Sequence, residues 1–164
     1  MNISITGTGP RNTAKLDKAA RFFANQLLHA RTAQKLVIDI DVVRTLDVDG
    51  ECISEDDHKD PRNFTIHLKR APIEDMIKVL SHEMVHVKQY AKNELGKELS
   101  LARGGKGLKV VTRWHGEYWF PKGKEDEYWD CPWEVQAYGM EVGLYHKWFH
   151  RKDPKAKWYV GEDA

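Results

Sequence analysis

Hydrophobic positions along this chain recur with two periods, and each change from one period to the other marks a new element. After the turn signal Gly7-Thr8-Gly9-Pro10, Leu16, Ala20, Phe23 and Leu27 recur at helical spacing, which predicts a first core helix capped by Asn12 or Thr13. Leu36-Val37-Ile38-Asp39-Ile40-Asp41-Val42 alternates with period 2, the mark of a strand with one wet face. Asp47-Val48-Asp49-Gly50 reads as a hairpin turn into a short return strand over 51–54. A calcium loop starting at Asp47 would need Glu at its twelfth position, where His58 stands. Beyond a charged loop, Phe64, Ile66 and Leu68 alternate again, predicting a strand at the lip of a cleft. As an edge, that strand could hold an extended peptide by main-chain hydrogen bonds. His67, on its other face, reads as a surface histidine.

From Ile73 to Leu95 the apolar side chains Ile73, Met76, Ile77, Leu80, Met84, Val87 and Ala91 form the stripe of a buried helix face. Pro72 suits its first turn, and Glu74 and Asp75 favour its positive end. Gly96, Gly104, Gly105 and Gly107 then mark an irregular, Lys-rich connection. The segment from Val110 to Phe120 reads as a small aromatic hairpin, whose rings form a satellite core or line a pocket. A last helix is predicted from Asp130-Cys131-Pro132 to His150, with Val135, Tyr138, Val142 and Tyr145 or Trp148 facing inward. A charged tail follows from about Lys152.

With 164 residues, 41% of them hydrophobic and 31% charged, the chain suits one domain spanning 1–164, of α+β class. Lys plus Arg number 26 against 25 for Asp plus Glu, so no global field points to nucleic acid or an anionic membrane. No apolar run approaches the ~20 residues of a membrane span, and Met1-Asn2-Ile3-Ser4-Ile5 lacks the character of a signal peptide. A cytoplasmic protein without membrane contact is the expectation. Cys52 and Cys131, far apart and without CxxC spacing, read as reduced thiols.

Inside the mid-chain helix stands His82-Glu83-Met84-Val85-His86, an HExxH pentad. Positions i and i+4 share a helix face, so both imidazoles can reach one Zn²⁺ with Glu83 beside them. The pair lies more than a quarter turn from the apolar stripe, on a side shared with Gln89 and Asn93. Catalytic zinc usually takes three protein ligands and keeps an open position. A metzincin-like pattern is excluded, because Gln89 and Lys92 stand where Gly and His would be needed. Glu134, in the first turn of the last helix, is the leading third ligand; Glu141, two turns on, and His115 are alternatives. In that first turn Glu134 could instead serve the helix amides.

His82-Glu83-Met84-Val85-His86 followed by Glu134-Val135-Gln136-Ala137 resembles the zincin metallopeptidases of the gluzincin kind, where Glu from a later helix joins HExxH. The text around them, Trp114-His115-Gly116 and Pro132-Trp133-Glu134 included, also resembles small SprT-like metallopeptidases common in bacteriophage genomes. The match covers roughly residues 64 to 145. It implies a minimal zincin-like fold: an N-terminal helix, a small antiparallel or mixed sheet, the HExxH helix, an aromatic hairpin and a C-terminal helix carrying the third ligand. It further implies one catalytic Zn²⁺ on His82, His86 and Glu134, a peptide or protein substrate, and host cytoplasm as the location if the gene is a phage's. Glu83 is the implied general base. Gluzincins of the ExxxD type carry Asp where Tyr138 stands; Tyr138 could take over the orienting of a ligand histidine through its hydroxyl. Tyr118, Tyr128 and His115 are candidate oxyanion donors. A different class stays open: a zinc-containing, non-catalytic module that presents the aromatic hairpin to a protein or DNA partner. A third reading is a protease linked to nucleic acid, with Lys97, Arg103 and Lys106 as the basic contacts.

Overall fold

A computed structural model describes residues 1–56, 59–101, 108–120 and 130–152. Arg103, Lys106, Tyr128, three of the four glycines of the Lys-rich connection and the tail beyond Lys152 lie outside the described residues.

The chain opens with a strand that its short apolar pattern did not announce, β1 (Asn2–Thr6), whose Ile3 and Ile5 pack on the core. Gly7 then turns with φ +77°, and a Cβ there would lie 2.0 Å from the Val42 carbonyl oxygen, so only glycine fits this turn. Helix α1 (Pro10–Leu27) is capped by Gly9 instead of Asn12 or Thr13, and buries Leu16, Ala20 and Phe23 as expected. A single turn, α2 (Ala30–Ala33), leads to β2 (Val37–Val43), where Ile38, Ile40 and Val42 are buried and Asp39 is exposed.

The expected hairpin at 47–50 is corrected by the strand order, β1-β2-β4-β3. The return strand β3 (Gly50–Ser54) exists, but β4 (Asn63–Lys69) lies between it and β2, parallel to β2 and antiparallel to β3. The apolar register explains this choice: Ile38, Ile40 and Val42 of β2 align with Phe64, Ile66 and Leu68 of β4, giving one continuous buried face. The less apolar β3 is left at the rim. The sheet edges are therefore β1 and β3, and β4 is interior.

Helix α3 (Ile73–Ala91) ends four residues before the expected Leu95. Asn93 takes φ 56°, its N–H bonds the Tyr90 carbonyl, and the Glu94 N–H bonds the Gln89 carbonyl. This Schellman arrangement stops the helix where Asn accepts the left-handed conformation. Leu95 instead starts β5 (Leu95–Leu101), which pairs antiparallel with β6 (Leu108–Trp114) and through it with β7 (Glu117–Tyr118). The expected aromatic hairpin is β6–β7; β5 was not expected, because Gly96 and scattered polar residues hide its period.

Helix α4 (Pro132–His150) packs on α3 and α1. Trp148 faces inward as expected, but the rest of the inward face is not the expected one: Glu134, Ala137, Glu141 and Leu144 are buried, whereas Val135, Tyr138 and Val142 are 58%, 39% and 54% exposed. Polar partners on α3 draw the two carboxylates inward, and that rotates the apolar stripe outward. Trp148 anchors the arrangement, with ring centroids 5.6 Å from Phe22 and 6.1 Å from Phe23 on α1.

The architecture is thus α+β, with helices on one face of the four-stranded sheet and a second small sheet. Among the described residues no helix is long and apolar enough to cross a membrane. Trp148→Ala is expected to cost ~3–5 kcal/mol of unfolding free energy in urea titration. Val142→Ala, on the face once expected to be buried, should stay within ~0.5 kcal/mol.

Candidate metal centre

The seam between α3 and α4 is polar. His82 and His86, one turn apart on α3, meet Glu134 from the first turn of α4, and all three side chains are buried. His82 Nε2 lies 3.2 Å from His86 Nε2 and 3.3 Å from Glu134 Oε2, and His86 Nε2 lies 3.4 Å from the same oxygen. Those edges match the ~3.3 Å separation of ligand atoms in a tetrahedron whose centre is ~2.0–2.1 Å from each, the geometry of zinc with nitrogen and oxygen ligands.

The opposite nitrogens are committed elsewhere. His82 Nδ1 lies 3.2 Å from Glu141 Oε2, and His86 Nδ1 lies 2.8 Å from Gln89 Oε1. Each Nδ1 is placed to donate its hydrogen there, which turns both Nε2 lone pairs toward Glu134 Oε2. One proton can bridge two such acceptors, while a divalent cation serves all three. The donor set fits a metal ion, and His₂Glu leaves the centre with a net positive charge.

Of the alternative ligands, Glu141 stands behind His82 as its hydrogen-bond partner, with Lys78 3.5 Å away. From there it is placed to orient the His82 ring. Tyr138 packs its ring edge-to-face on the same imidazole, with centroids 4.5 Å apart. His115 sits exposed in the β6–β7 turn, its ring against Trp114. Among the described residues lining the cleft, neither His115 nor Tyr118 occurs.

The triangle opens into a cleft of about 680 Å³ whose walls include Gly50, Glu51 and Cys52 of β3, Glu83 and Tyr90 of α3, and Trp133 and Tyr138 of α4. Trp114 and Trp119 pack on Trp133 at 6.2 Å and 5.0 Å, so the second sheet is fastened beside Glu134. The aromatic hairpin is both satellite core and, through Trp133, cleft wall. At Gly50 the strand lies close against the helix: a Cβ there would meet Val79 Cγ1 at 2.5 Å and Glu83 Oε1 at 2.8 Å. Gly50 and Gln89 were missed as site residues; a glycine opening a strand and a Gln one turn beyond His86 were the available signals.

Burial pushes the Glu83 carboxyl up to about 7, with His86 and His82 pulling the other way. Burial opposes charge on His82, but its hydrogen bonds with Glu134 and Glu141 outweigh that and hold it at about 9 in the metal-free protein. Burial works upward on Glu141 too, yet the hydrogen bond from His82 and the charge of Lys78 keep it below its ordinary value. Cys52 is raised by burial and by Glu83, so its thiol stays protonated.

Metal analysis should find one equivalent in the wild type and none in Glu134→Ala, while Glu141→Ala keeps the site with ~10–100-fold weaker affinity. A cation must also displace the His82 proton, so chelator competition should show affinity rising about tenfold per unit from pH 7 to 9 and levelling above. Because the folded His82 value is raised from 6.5 to about 9, its contribution to the metal-free fold is full below pH 6.5 and lost as pH rises through 9. The melting temperature of metal-free protein should fall across that window. No protein-family model, curated protein or solved structure matches this chain.

Proposed function

We propose that this chain is a zinc-dependent metallopeptidase with a minimal zincin-like fold. The observation that carries the reading is Glu83: a buried carboxyl between the two histidines in sequence, lining the same cleft as the His82–His86–Glu134 triangle. A purely structural metal site has no use for such a group, and structural zinc usually recruits Cys.

A bound Zn²⁺ would polarise the scissile carbonyl and acidify water. The other steps belong to the chain's own residues. Glu83 accepts the proton of the attacking water and passes it to the leaving amine. Edge strand β3 borders the cleft at Gly50–Cys52 and can pair with an extended peptide, fixing the scissile bond beside Glu83. Gly50 keeps that strand close, since any side chain there would displace Val79 or the Glu83 carboxylate.

The test is cleavage of an unfolded protein substrate by zinc-loaded protein. Glu83→Gln is expected to keep its zinc and lose ~10²–10⁴-fold in rate. Gly50→Ala should also keep zinc and lose rate, with the loss in kcat. Zinc-loaded wild type that cleaves nothing yet binds a protein or DNA partner would replace the enzyme with a binding module. Of the basic contacts for DNA, only Lys97 lies among the described residues.

A further inference from the structure

Behind His86 runs a set of side chains in which the role of each atom follows from fixed ends. Lys88 Nζ, an ammonium that can only donate, lies 3.1 Å from Gln136 Oε1. An amide NH₂ in that place would face another donor, so oxygen must stand there. The same oxygen lies 3.0 Å from the end of Gln89, which must therefore donate to it through Nε2. A second lock gives the same answer, because Gln89 Nε2 is 2.9 Å from the Trp133 carbonyl oxygen, which can only accept. Gln89 is thus left with Oε1 facing His86 Nδ1 at 2.8 Å, and that nitrogen must carry the hydrogen. A neutral imidazole has one such hydrogen, so Nε2 keeps its lone pair.

The surroundings hold this arrangement in place. Gln89 is 0% and Lys88 8% exposed. Lys88 is tied to Glu94 at 2.6 Å, just beyond the cap of α3. Trp133, whose carbonyl supplies the second lock, directly precedes Glu134, so one amide links both ligand-bearing helices.

We propose that Gln89 is a positioning residue which, held by Lys88, Gln136 and the Trp133 carbonyl, commits His86 to the Nδ1–H tautomer and reserves Nε2 for the cation. HExxH names the ligand; Gln89 chooses the nitrogen. This deepens the metallopeptidase reading and rests on it for its consequence, but the tautomer is observable apart from hydrolysis.

Long-range ¹H–¹⁵N NMR of zinc-free and zinc-loaded wild type at pH 8 should show the His86 hydrogen on Nδ1. Gln89→Met, similar in volume and without an amide, should mix the tautomers and weaken zinc ~10–100-fold. Gln136→Met, which leaves the Trp133 lock, should weaken it less. A wild-type His86 with its hydrogen on Nε2 overturns the proposal, as does a folded Gln89→Met with the wild-type tautomer and affinity. Should Gln89→Met not fold, the wild-type spectrum decides. Lack of peptide cleavage with the expected tautomer would sink the enzyme reading alone.

Discussion

The seam between α3 and α4 is the constraint on which the molecule turns. It buries His82, Glu83, His86, Lys88, Gln89, Glu134 and Glu141, groups whose removal from water is costly unless each finds a partner. Among the described residues no buried side-chain polar atom lacks one. Such a seam tolerates little sliding, because a shift of one helix past the other breaks several charge-assisted contacts together.

Apolar packing supplies what the polar seam cannot, a fixed distance between the helices. Ala137, Leu144 and Trp148 press α4 onto the core, with Trp148 against Phe22 and Phe23 on α1. At the other end Trp133 is gripped by Trp114 and Trp119. Glu134, next to that anchor, is thereby aimed at the two imidazoles, and folding itself orders the three side chains that could hold an ion.

The sheet governs access. Its hydrophobic register puts β4 inside and β3 at the rim, so an unpaired edge falls next to Glu83. Gly50 lets that edge come within van der Waals reach of α3. The cap at Asn93 then ends α3 and sends the chain into the second sheet, whose first residue, Leu95, lines the cleft.

Local pattern alone determined the elements whose signals are short in range. The i, i+4 spacing put His82 and His86 on one face and alternation marked β2 and β4, while Glu134 stood only as the leading candidate beside Glu141 and His115. It did not determine β5, the neighbours of β3, or the inward side of α4. Those are choices among partners distant in the chain: β5 is a strand because β6 lies beside it, and β3 joins β4 because β2 is already covered. On α4, counting apolar residues favoured Val135 and Val142, but burial followed the partners on α3, and two carboxylates opposite two histidines outweighed the loss of an apolar stripe. Periodicity reports what a side chain is, whereas its direction depends on what stands across from it, and only the tertiary structure decides that.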